Sequence, residues 1–240
     1  MFHVVRRDAL EYLTADALAG SVHCFSTRFG GVSGGVLASL NLGTHRGDAP
    51  EHVRKNYEIL GSAVGFLPEQ TVFTKQQHTA IVAPATRADC GTGLLRERED
   101  VCDALVTNEP GAAHSGWRGT AQGIAARTVE QMQRLYGCKP ENIRAAIGPS
   151  IGQCCFETDG DVPDAMRAAL GAAAEPFIER RGEKFFVDNK GLCALWLQTC
   201  GVSQIDVSCD CTKCQPQRFW SHRVTGGARG SLAAVIMLRE

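Results

Sequence analysis

The sequence has little of what marks membrane-spanning, secreted or nucleic-acid-binding proteins. No apolar run approaches the ~20 residues needed to cross a bilayer, and the N-terminus lacks the basic-then-apolar pattern of a secretory signal. The formal net charge is -1 and no block of basic residues is present, which argues against a nucleic-acid partner. We therefore expect a cytoplasmic protein that binds neither membranes nor nucleic acid.

Histidine is also scarce, whereas cysteine is abundant. The seven histidines are fewer than multicopper sites generally need. The eleven cysteines are an odd number scattered along a chain without an export signal, so we expect reduced thiols and not a disulfide framework. Cys209, Cys211 and Cys214, with His222 downstream, would supply four zinc ligands. The alternative is ordinary thiols, because structural zinc sites usually pair two separated Cys-x-x-Cys knuckles.

Periodicity predicts one α/β domain with a mixed sheet over residues 1–240. Alternating or continuous apolar runs predict strands over 22–27, 71–75, 79–83, 103–107, 143–147, 205–208 and 233–238. Helices are expected after Asp48, Asp161 and Asp188, since each is followed by apolar residues at helical spacing. No repeat, low-complexity tract or linker divides the chain.

The segment Ala113–Thr120 combines a histidine, an aromatic ring, a cation and two glycines where an apolar stretch ends. Helical periodicity follows at Ile124, Thr128, Met132 and Leu135. A helix that begins here would place Arg118 and the amides of Gly119 and Thr120 at its positive end, which favours an anion beside His114. The alternative is a hydrogen-bonded ring and a tryptophan that anchors the core.

Three further segments are candidate binding elements. The loop 30–35 contains four glycines between Arg28 and Asn41, so its backbone is free to approach a ligand closely, unless it is only a flexible linker. The turn 148–152 follows a predicted strand, and the carboxyl ends of strands are favoured places for ligand contacts in α/β folds. His78 lies between two predicted extended segments and either projects into a cleft or is merely exposed.

These motifs occur in the order of one known family. They are Thr27-Arg28-x-Gly30-Gly31-Val32-Ser33-x-Gly35, Ser39-Leu40-Asn41-Leu42-Gly43, Gln77-His78, Asp103-Ala104-Leu105-Val106-Thr107, His114-Ser115-Gly116-Trp117-Arg118-Gly119-Thr120, Gly148-Pro149-Ser150-Ile151-Gly152, and Cys211-Thr212 followed by Phe219-x-Ser221-x-Arg223. Together they resemble the YfiH or laccase-domain family over nearly the whole chain. The members of that family were formerly named multicopper polyphenol oxidases and are now regarded as purine nucleoside enzymes.

The resemblance implies an α/β sandwich-like fold that splits adenosine, inosine, guanosine or methylthioadenosine with phosphate and also deaminates adenosine. By matching position, His78 and His114 correspond to the two metal-site histidines of the family, and they are our catalytic and metal-binding candidates. Zinc is the implied cofactor, with copper as the alternative. The substrate-binding candidates are Arg28, Asn41, Arg118 and Gly148. Purine nucleoside and phosphate are the implied substrates of a monomer or homodimer.

One departure from the family concerns the metal site. In the family, the strand after the Asp-Ala-Leu-Val-Thr motif runs on through an Ala-Asp-Cys segment whose cysteine completes the site. Here only 108–111 separate that strand from Ala112, which predicts a hairpin with a four-residue loop. Cys90 precedes the strand and Cys102 borders it, so neither matches the lost ligand. A copper-dependent polyphenol oxidase and a catalytically impaired nucleoside-binding relative therefore stay open as alternatives.

Overall fold

The strands of this chain are short and fall into four small sheets. The computed structural model describes residues 1–238. The strands are β1 Phe2–Arg7, β2 Leu10–Ala15, β3 Ser21–Ser26, β4 Val82–Pro84, β5 Ala104–Val106, β6 Gly111–Ala113, β7 Arg144–Ile147, β8 Glu157–Thr158, β9 Ile178–Arg181, β10 Lys184–Val187, β11 Gln204–Val207 and β12 Ala234–Leu238. The α-helices are α1 Pro50–Val64, α2 Trp117–Ala121, α3 Ile124–Tyr136, α4 Asp161–Leu170, α5 Asn189–Thr199 and α6 His222–Thr225.

The sheets mix parallel and antiparallel pairing. The first has the order β1-β2-β3-β12 and is antiparallel throughout. A second antiparallel sheet has the order β8-β10-β9. In the third, β7 and β11 pair in parallel, and in the fourth, β5 lies between a parallel β4 and an antiparallel β6. The α/β class predicted from the sequence is confirmed, with the strands divided among several sheets.

Capping residues set the end of α1 and the start of α5 where the sequence predicted them. Pro50 occupies the first turn of α1, and Gly65 ends the helix in the left-handed conformation with φ 102°. The Asp188 carboxylate accepts a hydrogen bond from the Gly191 amide and so caps α5. Asp161, expected as a cap, is instead the first residue of α4, and Gly160 precedes it.

Several elements differ from the sequence expectation. The single helix predicted after His114 is split into α2 and α3, because Gly123 between them adopts a left-handed φ of 72°. Residues 71–75 form no strand, and the strand expected over 79–83 is β4, which begins only at Val82. The N-terminal hairpin of β1 and β2 and the sheet of β8, β9 and β10 were not predicted.

The core consists of several separate apolar clusters. One cluster joins the four-stranded sheet to α1 and contains Leu10, Tyr12, Cys24, Leu40, Leu42, Val53, Tyr57, Leu60 and Phe66. A second packs α4 and α5 against β10, with Trp117 at its edge. Trp117 therefore does anchor the core, which was one of the two alternatives for its motif.

Within residues 1–238, no helix is long and apolar enough to cross a bilayer.

A tight turn joins β5 to β6. β5 and β6 pair antiparallel, with Leu105 opposite Ala112. Thr107 closes the turn, since its amide donates to the Pro110 carbonyl at 2.8 Å. The predicted hairpin is therefore confirmed, and β6 leads directly to His114.

Gly148 provides a test of how tightly the turn after β7 packs. A Cβ at this position would lie 2.2 Å from Cδ1 of the Phe25 ring. We expect Gly148→Ala to lower the free energy of unfolding by about 1 to 3 kcal/mol, the usual cost of overpacking. Gly34→Ala is the control, because no atom lies within 4 Å of its added Cβ. Urea denaturation of both variants would measure the difference, and equal stabilities would contradict the packing argument.

Candidate functional site

Two histidines that are far apart in the sequence lie side by side. The ring centroids of His78 and His114 are 5.5 Å apart. Gly116 lies between them: an added Cβ would be 3.2 Å from His78 Nδ1 and 3.3 Å from His114 Nε2. One nitrogen of each ring therefore faces the same small space, and glycine keeps that space open.

Asp103 holds the turn that carries His78. Its side chain is fully buried, and its carboxylate accepts hydrogen bonds from the amides of Gln77, His78 and Thr79 and from the Thr79 hydroxyl at 2.7 to 3.2 Å. Burial raises the pKa of Asp103, but these hydrogen bonds outweigh it and hold the pKa below its usual value. The Asp103 carbonyl also accepts from the His114 amide at 2.7 Å. One residue thus fixes the backbone of both histidines.

The immediate group of possible ligand atoms is two imidazoles and one carboxylate. Ligand atoms of His78, Asp103 and His114 all lie within 4.8 Å of one another. His114 Nε2 is buried and has no hydrogen-bond partner among the described residues. Burial lowers the pKa of His114, and the nearby His78 and Arg229 lower it further against the opposing effect of Asp103. A neutral, unpartnered imidazole nitrogen is suited to bind a metal ion.

The segment after His114 is docked on α5. Asn189 donates from Nδ2 to the Ser115 carbonyl at 2.9 Å, and Trp196 donates from Nε1 to the Thr120 carbonyl at 2.8 Å. The hydroxyls of Ser115 and Thr120 are 2.9 Å apart. These bonds fix the short helix α2 and with it the position of Gly116 beside the imidazoles.

Arg229 supplies positive charge near His114, and Arg46 supplies positive charge near Arg229. Arg229 affects the pKa of His114, and burial together with the cation of Arg46 lowers the pKa of Arg229 itself. The Nε of Arg229 is buried without a hydrogen-bond partner in the described part of the chain. Arg46 is exposed and donates from Nε to the Ser231 hydroxyl at 2.9 Å. The unused Nε donor of Arg229, with the charge of Arg46 near it, makes this loop a candidate anion site.

The structure gives Arg28 contacts that stabilise the glycine loop. Its guanidinium donates to the carbonyls of Ala38 and Pro216 at 2.9 Å and stacks on the Trp220 ring at 3.8 Å. These contacts tie the loop 30–35 to the C-terminal part of the chain and occupy donors that a substrate would need. A substrate-binding role for Arg28 stays a prediction.

Asn41 is also fully occupied by contacts within the protein. Its side chain is completely buried; Nδ2 donates to Asp48 and to the Gly43 carbonyl, and Oδ1 accepts from the amides of Gly43 and Ser231. Because Ser231 in turn accepts from Arg46, Asn41 positions the anion site indirectly. Direct contact between Asn41 and a substrate stays a prediction.

The other two substrate-binding candidates occupy different settings. Arg118 is exposed, and its guanidinium stacks on the Trp117 ring at 4.3 Å. The helix that contains it, α2, has five residues, so the long helix expected to favour an anion at this point is wrong. Gly148 packs against Phe25. Their roles in binding are predictions that the geometry leaves open.

The cysteines do not assemble as the sequence suggested. Cys209 and His222 are not part of any group of possible metal ligands within the described residues, so the predicted set with Cys211 and Cys214 is wrong. Cys211 and Cys214 instead meet the adjacent pair Cys154 and Cys155.

The two cysteines near the hairpin of β5 and β6 lie apart from the histidines. Cys90 donates from Sγ to the Gln70 carbonyl at 3.6 Å, and Cys102 is buried in an apolar cluster with Ala85 and Leu105. Neither belongs to the group of His78, Asp103 and His114. The third ligand atom within reach is a carboxylate oxygen of Asp103.

Sequence reasoning missed Asp103, Arg46 and Arg229 as site residues. The available signal for Asp103 was an aspartate directly before the apolar strand Ala104–Val106, a charged residue where burial is unusual unless it is paired. The two arginines lie in polar loops and carry no local signal. Arg229 comes near His114 because β12, which follows it, contacts β6, which leads to His114, and Arg46 is tied to the same loop by its bond to Ser231.

A small α/β fold that brings two imidazoles and a carboxylate together defines a protein with a candidate metal centre. The chain belongs to the family described as multi-copper polyphenol oxidoreductase laccase, whose sequence profile matches residues 22–113 and 109–239. The two matched segments meet at the hairpin of β5 and β6. The profile is therefore interrupted where the connection is short.

Similar proteins carry a different name. Purine nucleoside phosphorylase YlmD of Geobacillus stearothermophilus is 35% identical over 255 aligned residues, which cover 94% of this chain and 93% of the relative. Purine nucleoside phosphorylase YfiH of Escherichia coli is 36% identical over 91% of this chain and 94% of its own. The crystal structure of YlmD from Geobacillus stearothermophilus matches with a TM-score of 0.91 and 32% identity, covering 99% of both chains.

Replacing Asp103 tests whether its carboxylate stabilises the turn 77–79, which contains His78. We expect Asp103→Asn to lower the free energy of unfolding by about 2 to 4 kcal/mol at neutral pH, because charged hydrogen bonds are lost and buried amides are left unpaired. The carboxylate stabilises the fold above its unfolded pKa of about 4, and this contribution is lost as the pH falls through the lower folded pKa. The difference in the free energy of unfolding between the wild type and Asp103→Asn should therefore become smaller at acidic pH.

Urea denaturation at neutral and acidic pH would measure both effects. Asp100→Asn is the matched control, because Asp100 is an exposed aspartate nearby. Zinc titration of the Asp103→Asn variant should also show affinity reduced by about 10- to 100-fold, as for other residues that orient metal ligands. Unchanged stability and unchanged zinc affinity would contradict the role given to Asp103.

Gly116 tests whether the two imidazole nitrogens share one ligand. An added methyl group in Gly116→Ala would lie against both nitrogens. We expect zinc affinity to fall on the order of tenfold, since a small overpacking penalty of about 1 to 2 kcal/mol would act in the bound state. Calorimetric titration would measure the affinity. Gly227→Ala, with no atom within 4 Å of the added Cβ, is the control, and an equal affinity in both variants would refute the shared site.

Proposed function

We propose that the protein is a purine nucleoside phosphorylase that splits adenosine, inosine, guanosine or methylthioadenosine with phosphate and also deaminates adenosine. The observation that carries this proposal is the pair of His78 and His114, whose ring centroids are 5.5 Å apart and which includes the buried, unpartnered Nε2 of His114. It is supported by a fold shared with relatives named purine nucleoside phosphorylase.

The residues present fit a metal ion. The unpartnered Nε2 of His114 and the Nδ1 of His78 face the same space, with the Asp103 carboxylate within reach. Imidazole and carboxylate donors suit zinc, and imidazole also suits copper. We propose zinc as the cofactor, held by His78 and His114. When bound, zinc would lower the pKa of a water molecule toward neutrality and so supply a nucleophile for deamination.

The two arginines suit the phosphate needed for phosphorolysis. In that reaction a phosphate oxygen attacks C1′ of the ribose, and the bond from C1′ to the purine nitrogen breaks. The electron pair leaves with the purine, which takes up a proton, and ribose 1-phosphate forms. Arg229 offers an unused, buried Nε and Arg46 a second cation, so together they would hold phosphate and balance its charge. Arg118 is a further exposed cation for the substrate.

His114 has the protonation state that this chemistry requires. Because its pKa is lowered, the ring is neutral at physiological pH and free to accept a proton or bind a cation. In deamination, water adds to C6 of the adenine ring and ammonia leaves. Asp103 keeps His78 and His114 in place during both reactions by fixing their backbones.

The decisive assay uses the purified protein with inosine and phosphate. We expect release of hypoxanthine that requires phosphate, and ammonia release when adenosine is supplied. The His78→Ala and His114→Ala variants should both lose activity. Release that does not depend on phosphate, or no release at all, would count against the proposal.

Two alternatives have an observation in their favour. The description of the family favours a copper-dependent polyphenol oxidase, which would contain copper and consume oxygen with phenols. The short turn between β5 and β6, with no cysteine in the histidine group of the described chain, favours a catalytically impaired nucleoside-binding relative. Calorimetric binding of adenosine without turnover would identify the latter.

Arg229 tests the proposed phosphate site. We expect Arg229→Gln to raise the KM for phosphate by about 10- to 100-fold, because a charged hydrogen bond worth roughly 1.5 to 3 kcal/mol is lost. The KM for inosine should change much less. Arg87→Gln, at an exposed position in another loop, is the control. Initial rates over a range of phosphate concentrations would measure the effect. Equal KM values for the two variants would show that phosphate does not bind at Arg229.

A further inference from the structure

Four thiols converge outside the histidine site. Cys154 and Cys155 follow the turn 148–152, and Cys211 and Cys214 lie in the turn after β11. Because β7 and β11 are parallel neighbours, these two turns leave the same edge of the sheet. They are joined by a bridge between Ser150 and Cys211, in which the Thr212 amide donates to the Ser150 carbonyl at 3.0 Å. The grouping is therefore a consequence of strand pairing.

The spacing of the sulfurs matches a tetrahedral metal site. Cys214 Sγ is 3.4 Å from Cys155 Sγ and 3.7 Å from Cys154 Sγ, and all four sulfurs lie within 4.8 Å of one another. Zinc bonded to four thiolates at about 2.3 Å places the sulfurs about 3.8 Å apart. Bound sulfurs of a disulfide are only about 2 Å apart. The four thiols already occupy positions that a central ion would require.

Backbone donors surround the most buried thiol. The Gly152 amide donates to Cys211 Sγ at 3.2 Å, and the amides of Lys213 and Cys214 also donate to this sulfur. Amide donors of this kind stabilise a thiolate. Lys190 stabilises the turn after β11, because its buried ammonium donates to the carbonyls of Ser208 and Asp210. The turn is thus fixed independently of any metal.

We propose that Cys154, Cys155, Cys211 and Cys214 bind a structural zinc ion that clamps the turn after β7 to the turn after β11. Four protein ligands leave no open position, which distinguishes a structural site from a catalytic one. This site is separate from the histidine site and does not depend on the proposed enzymatic function. Its donors are four soft sulfurs, whereas the histidine site offers nitrogen and oxygen.

The first test uses the unmodified protein and its own cysteines. After purification under reducing conditions with zinc, the protein is labelled with a maleimide and mapped by mass spectrometry. Cys154 and Cys214 are exposed, as is Cys209, which lies outside the cluster. We expect Cys209 to react at once, and Cys154 and Cys214 to react only after a strong chelator is added. Equal rates for the three residues, or a disulfide between Cys155 and Cys214 in the metal-loaded protein, would overturn the proposal.

The second test identifies the ligands by spectroscopy. Cobalt bound by thiolates gives a strong sulfur-to-metal charge-transfer band that cobalt bound by imidazole and carboxylate does not. We expect the band in the wild-type protein and in the His78→Ala/His114→Ala variant, and its loss in Cys154→Ser/Cys214→Ser. Cys138→Ser/Cys200→Ser, with half-buried cysteines elsewhere, is the control and should retain it. A wild-type protein without the band, or a band that persists in Cys154→Ser/Cys214→Ser, would refute the four-thiolate site.

Discussion

The buried carboxylate of Asp103 is the interaction on which the histidine site depends. A buried charge is costly unless it is fully hydrogen-bonded, and here the surrounding donors are the amides and hydroxyl of the turn 77–79. That turn places His78 at a left-handed φ of 58°, a conformation that costs a residue other than glycine about 1 kcal/mol or more. The carboxylate offsets this cost, while the carbonyl of the same residue fixes His114. Strand β5 therefore does more than complete a sheet, because the residue that precedes it holds both imidazoles in place.

This support is complete although the hairpin of β5 and β6 is short. The group of possible ligands in the described residues contains no cysteine, and the bonds that orient His78 and His114 come from Asp103, which precedes the hairpin. β6 still pairs with β5 and still delivers His114 to the same place. The contacts that position the two imidazoles therefore do not require a cysteine donor. A carboxylate that is already committed to four hydrogen bonds is a weaker metal ligand than a thiolate, so the histidines must carry more of the binding.

The sequence predicts those elements whose ends are set by neighbouring residues. It does not predict contacts between residues that are distant in the chain. Helices α1 and α5 were predicted because their caps and apolar spacing are local, and the hairpin before His114 because its loop is short. Gly123 split the central helix through a left-handed φ that periodicity does not reveal. The pairing of Cys154 and Cys155 with Cys211 and Cys214 follows from the parallel alignment of β7 with β11, which the spacing of cysteines alone does not contain. The position of Arg229 near His114, and the bond from Arg46 to Ser231 in the same loop, likewise depend on tertiary packing.

The two groups of ligands differ in a way that separates their roles. The thiol cluster offers four soft donors on turns that the backbone already holds, so an ion there would be enclosed and inert. The histidine group offers harder donors and, in the part of the chain described, too few to enclose an ion, which leaves positions for water or substrate beside the Arg229 cation. A closed thiolate site binds zinc more tightly than two imidazoles do, so limiting zinc would fill the structural position first. The metal content of the isolated protein would then report the thiol cluster, and zinc binding by the two imidazoles would be the second, weaker event of a zinc titration.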